Sequence, residues 1–245
     1  MKKYVTLICA AGCSLALSAQ TKQGTIVYER KIDVHRHMQD AQMKAMVPQF
    51  QTAGYNLFFK DSISVYKPAP KDEAPDPFEG GGGGNRVMIR FGGPGDDGSL
   101  YKNFSSGRQL QETSLEDKKY IITDSIKQQP WKLADATQTI LSHVCKKATL
   151  TTERGSKIVA WYAEDIAVPA GPERFSGLPG AVLMVDVDSA NVVFTATEIR
   201  PTADAKELKA PTSGKQITNA EFAKKMDELM GPADAQGRRM ITREN

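Results

Sequence analysis

The residues best suited to chemistry are soft metal ligands. His35, His37, Met38, Met43 and Met46 fall within twelve positions, and His143 and Cys145 alternate further along the chain. Imidazole, thioether and thiolate are the donors that select copper(I) over calcium or magnesium. If residues 34 to 37 are extended, His35 and His37 point to one side and can share an ion, with methionines from a following helix completing the set. The plainer alternative is that the methionines fill a core from an amphipathic helix, that the His-Arg-His run is solvated, and that His143 is a hydrogen-bonded histidine beside a packed cysteine.

Catalytic chemistry finds less to work with. Serines stand at 62, 64, 105 and 106, but none lies in a Gly-x-Ser-x-Gly elbow, and only three histidines are available as a general base. Glu164 and Asp165 are adjacent at the end of an expected strand, where neighbours point to opposite faces and cannot form a paired acid and base. They read as a solvated loop edge before Pro169. Paired carboxylates of the glycosidase kind would have to come from distant residues. The Gly80–Gly84 run is followed by Asn85-Arg86 instead of the Gly-Lys-Ser/Thr that ends a phosphate cradle. The expectation is a protein that is not an enzyme.

The first nineteen residues set the compartment. Lys2 and Lys3 precede an uncharged apolar stretch to Leu17, and Ser18-Ala19 supply small residues before Gln20. This is the pattern of a cleaved secretory signal peptide, 1–19; the apolar stretch is too short, and too quickly followed by polar residues, to be a membrane span. A lipobox reading of Ala10 to Cys13, with Cys13 lipidated, is the lesser alternative. The expected location is the periplasm or the outer envelope. The formal charge is +3 for the whole chain and +1 without Lys2 and Lys3, too small to favour nucleic acid or an anionic surface through the overall field. Nothing later in the chain is apolar enough to span a bilayer. Of three cysteines only Cys145 lies beyond the signal, so no internal disulfide is available to the mature chain. Burial as a small hydrophobe is its expected state.

Residues 20–245 suffice for one β-rich domain with a sizeable core. Proline and glycine crowd residues 69–97, a composition that cannot bury enough apolar surface to offset its chain entropy, and a mobile loop is expected there. Around it the apolar period is mostly two. Strands are expected near 24–34, 55–59, 62–66, 98–104, 108–114, 119–124, 139–150, 157–163, 180–187 and 191–200, with Asp188-Ser189-Ala190 turning the last pair. The short connections favour antiparallel pairing. Two helices are expected: one over 37–51, carrying Met38, Met43, Met46, Val47 and Phe50 and limited by Pro48, and one after the Thr218/Glu221 capping box, with Phe222, Met226, Leu229 and Met230 on its packed face.

The last motif is Gly177-Leu178-Pro179-Gly180, preceded by Gly171-Pro172 and Phe175 and running into an apolar strand. Pro179 and Gly180 suit the central positions of a type II turn, and Phe175, flanked by glycine and proline, reads as a loop anchor for a partner. Together with Trp131-Lys132-Leu133, Thr139 to Leu141, Cys145 to Thr149, Ala160-Trp161-Tyr162 and Ile166, this block resembles the GLPGLI family of exported Gram-negative envelope proteins, with Ala181-Val182 replacing the residues that complete the family name. The resemblance implies no catalytic residue and no agreed ligand. It implies a mainly β (α+β) fold, a curved antiparallel sheet with two helices, an open half-barrel similar to those of periplasmic lipoprotein carriers, in which the sheet wraps an apolar cavity. The function expected is that of a non-enzymatic binding or assembly factor for an envelope protein or apolar ligand, with copper binding as the alternative.

Overall fold

Alternation of β-branched and aromatic residues with polar ones lets a strand bury one face while the other meets water, and this pattern governs most of the chain. The computed structural model describes residues 20–70, 98–115 and 117–230, leaving aside the side chains of His37 and Met230. The expected signal peptide, Cys13 and nearly all of the Gly/Pro-rich stretch lie outside the described residues. The strands are β1 (Gln23–Asp33), β2 (Phe50–Lys60), β3 (Ile63–Pro68), β4 (Leu100–Asn103), β5 (Arg108–Leu115), β6 (Lys118–Ser125), β7 (Lys132–Ile140), β8 (His143–Thr151), β9 (Lys157–Ala163), β10 (Ala181–Val187), β11 (Val192–Arg200) and β12 (Lys215–Thr218). The helices are α1 (Ala41–Met46) and α2 (Asn219–Met230).

All twelve strands join one open, curved sheet in the order β12-β6-β5-β4-β3-β2-β1-β11-β10-β9-β8-β7. The mainly β, curved-sheet expectation therefore holds. Sequential hairpins build each half, and β1 pairing with β11 from Thr25–Arg200 to Ile32–Val192 joins the halves. One pairing departs from the antiparallel expectation. β12 lies parallel to β6, Lys215 opposite Tyr120 and Thr218 opposite Thr123, which the long connection between them permits.

Two further expectations are corrected. The single strand over 139–150 is two strands, because the chain reverses at Leu141-Ser142, where φ is +48° and +70°. Positive φ at both central residues matches the twist of a two-residue hairpin, but the usual Asn-Gly signal is missing. The helix over 37–51 is only α1, six residues long and with none of them buried. Val34–His37 forms a 3-10 turn before it. Phe50 already belongs to β2, opposite Asp33. Pro48 cannot donate in a helix, which limits the segment to less than two turns.

α2 begins as expected. Thr218 Oγ1 accepts from the Glu221 amide at 3.2 Å while Glu221 Oε2 accepts from the Thr218 amide at 2.7 Å, the reciprocal capping box. Phe222 and Met226 are buried against Tyr120, Ile122 and Ile217. Leu229, expected on the packed face, is 47% exposed.

The two main apolar clusters occupy opposite faces of β9. Alternation sends Ala160 and Tyr162 to one and Ala163 and Trp161 to the other. The connection between β9 and β10, residues 164–180, supplies Ile166, Val168 and Ala170 to the first cluster and Phe175 and Leu178 to the second.

Candidate functional site

Residues 164–180 form an irregular stretch tied to several strands. The segment lies along the start of β10, where the Ala181 amide donates to Ile166 O (3.1 Å) and the Val182 amide to Ala170 O (2.9 Å). Gly171 fits because a Cβ there would stand 2.4 Å from Phe175 O and 2.6 Å from Val182 Cβ. At Gly180 the close approach is harder: its φ is +156°, and a Cβ would stand 2.1 Å from Ala163 O. The expected type II turn is not formed. Such a turn asks for φ near +80° at Gly180, where φ is +156°; the Ala181 amide is taken by Ile166, and the Gly180 amide bonds Leu178 O at 2.8 Å. This is a tighter, three-residue turn around Pro179. Leu178 is buried beneath it.

Phe175 is not a partner anchor. It is 1% exposed and meets the edge of Phe194, on β11, with ring centroids 5.9 Å apart and planes at 62°. The flanking glycine and proline fold the chain back so that the ring faces inward.

Polar residues lash the segment to distant strands. Lys102 on β4 is only 3% exposed, and its Nζ donates to Glu173 O at 2.8 Å and Ser176 Oγ at 3.1 Å. Burial, which penalises the ammonium, lowers its pKa to about 7, while the Glu173 charge pulls the other way. Glu173 has φ of +48°, and its carboxylate accepts from Arg30 of β1 at 3.4 Å. Trp131 Nε1, from the approach to β7, donates to Ser176 O at 3.0 Å, and Gln129 Nε2 donates to Arg174 O at 2.7 Å. A serine beside a lysine of lowered pKa has the makings of an activated nucleophile. Both side chains are buried, however, so this pair fastens the loop and presents no reactive oxygen to solvent. The sequence offers no hint of this fastening. Lys102 sits in a four-residue strand, where an outward lysine would look the same.

Of the soft ligands between residues 35 and 46, the structure places the side chains of His35, Met38, Met43 and Met46. His35 Nε2 lies 2.8 Å from Val47 O. A carbonyl only accepts, so this nitrogen carries the proton, and Nδ1 is left as the acceptor of the ring. Val34 to His37 is a 3-10 turn, which removes the extended geometry that would align His35 with His37, whose side chain lies outside the described residues. Met38 follows this turn. Met43 and Met46 are 41% and 81% exposed, which also removes the expectation that they fill a core. Among the described residues no three histidine, cysteine, aspartate or glutamate side chains converge as a metal site.

Next to the β7 edge of the sheet, His143 Nδ1 lies 2.6 Å from Asp165 Oδ2, and Lys146 lies 2.7 Å from Glu164. The adjacent carboxylates thus secure the end of β9 to β8. Cys145 is buried and free, and burial pushes its thiol up to about 11, which keeps it protonated and inert. The Thr21 amide donates to Asp165 O at 2.8 Å, and Thr21 O accepts from the Ala167 amide at 2.9 Å. An open depression of about 340 Å³ lies between Lys67, Ser99, Glu112 and Lys119.

These features define a mostly β domain: one open, curved, largely antiparallel sheet fastened by a buried connection between β9 and β10. Residues 100–229 match the family described as "N-glycanase peptide, N-terminal domain", and the chain belongs to that family. Two solved structures of PNGF-II share the fold. The one in space group C2 is 15% identical with a TM-score of 0.56 and covers 83% of this chain and 32% of its own. The one in P21 is 15% identical with a TM-score of 0.57 and covers 84% and 33%. This chain therefore spans about a third of the length of those proteins. No curated protein matches the sequence. No helix among the described residues is long and apolar enough to cross a membrane.

Proposed function

We propose that the protein is a non-enzymatic, exported envelope protein, a binding or accessory module that engages N-glycosylated polypeptide. The observation that carries the reading is the burial of the segment at 164–180. Phe175, Ser176 and Leu178 are all interior, so the glycine-rich signature, which resembles that of exported GLPGLI proteins, acts as framework. The family is named for the N-terminal domain of an N-glycanase, and this supports glycosylated polypeptide as the partner.

The test uses a fluorescent N-glycopeptide and the same peptide without its glycan. Saturable anisotropy change with the glycopeptide alone, and no release of glycan on prolonged incubation, is the expected result. Released glycan would make the protein an enzyme. Equal or absent binding of both peptides would remove the glycosylated partner.

A further inference from the structure

The connection from β1 to β2 carries apolar side chains that nothing in the described structure covers. Met43 and Met46 stand one turn apart on α1, on the same side of the helix, at 41% and 81% exposure. Phe50, 43% exposed, opens β2. A folded protein exposes single apolar residues freely, but three large ones within one short connection mark a contact surface.

The charges around the cluster have one dominant sign. Lys31 places its ammonium 4.0 Å from the centre of the Phe50 ring, and Lys44 lies between the two methionines in the helix. Arg36 is exposed on the preceding turn, although its guanidinium also holds Asp188 O and Ser189 O at 2.7 Å each. Of the two acidic neighbours, Asp33 is buried and Asp40 is exposed but engaged as the helix cap. Asp40 caps the helix by accepting from the Gln42 amide, and Asp33 is buried, accepting from Gln49. Flexible thioethers and a phenyl ring at the tip, with lysines beside them, match a surface that is apolar a few ångströms down and anionic at its face. A bilayer containing acidic lipids has that profile.

We propose that this tip, Met43, Met46 and Phe50 with Lys31 and Lys44, seats the protein on an anionic membrane surface. The apolar side chains enter the headgroup boundary and the ammonium groups meet lipid phosphates. With three apolar anchors and two lysines the attachment is reversible and salt-sensitive. The proposal does not depend on the glycopeptide reading.

Purified protein is sedimented with vesicles of phosphatidylethanolamine and phosphatidylglycerol, and with vesicles of phosphatidylcholine. The expected result is several-fold more protein in the pellet with the anionic vesicles, falling as salt is raised. Met43→Gln/Met46→Gln, which changes exposed positions and keeps the helix, should lower the bound fraction several-fold with an unaltered thermal transition, and Lys31→Gln/Lys44→Gln should do the same. No sedimentation with anionic vesicles overturns the proposal, as does binding that all variants retain. A concentration-dependent dimer abolished by Met43→Gln/Met46→Gln also overturns it, since the tip is then a contact between copies.

Discussion

At the scale of single residues, burial decides what each group can do. Phe175 fills space between residues 164–180 and β11, and Phe175→Ala should cost about 3–5 kcal/mol, the range for emptying a buried aromatic site. Chemical denaturation would show it as a lower midpoint with an unchanged slope. Lys102 gives a pH signature. Its ammonium falls to about 7 in the fold from 10.5 unfolded, so between those values the unfolded chain holds the extra proton and stability rises with pH. Below about pH 7 both states are protonated and the cost of the buried charge is felt in full. Tyr28 and Tyr66 oppose this at the alkaline end, because burial raises both phenols well above 10.0. Unfolded tyrosines ionise first there, and stability falls above about pH 10. Urea midpoints should therefore climb from pH 7 to about 9 and fall beyond 10. Lys102→Met should flatten the climb and leave the fall. Neither Phe175 nor Lys102 was legible beforehand, since an aromatic among glycines and a lysine in a short strand look alike whether they face in or out.

Elements were more legible, and their errors lie at turns and edges. The capping box before α2 was readable because it is local, with two side chains bonding two amides three residues apart. Thr218→Ala should cost about 1 kcal/mol, seen as earlier loss of helical circular dichroism. The β7–β8 turn was missed because Leu141 and Ser142 are poor residues for positive φ. Leu141→Asn/Ser142→Gly should relieve that strain and raise the thermal midpoint by a few degrees; a lower midpoint would mean the partly exposed leucine contributes packing instead. The helix over 37–51 shrank to α1 because apolar spacing resembled a packed face, while Pro48 and the early start of β2 left too little chain. Most other strands lie within a few residues of their expected bounds, since a period of two is visible in any half-buried strand.

Across the whole molecule, residues 164–180 couple strands far apart in the sheet, reaching β4 through Lys102, β1 through Arg30 and the approach to β7 through Trp131. Gly180 is the tightest point of this coupling. Gly180→Val forces a Cβ against Ala163 O, and far- and near-ultraviolet circular dichroism should lose structure together at a lower temperature. Loss of near-ultraviolet signal alone would show that the segment detaches while the sheet persists. The sequence by itself determined the class, a mainly β chain of antiparallel hairpins with a capped final helix, because periodicity, turn residues and capping act over a few positions. It also marked Gly177 to Gly180 as shape-setting. Only the tertiary structure decided that this motif lies inside, that Phe175 faces Phe194, that Lys102 is buried beneath residues 173–176, that His35 Nε2 donates to a carbonyl and that the methionines of α1 face outward. Those outcomes depend on which distant strands the curvature of the sheet brings together, and no local pattern of residues carries that information.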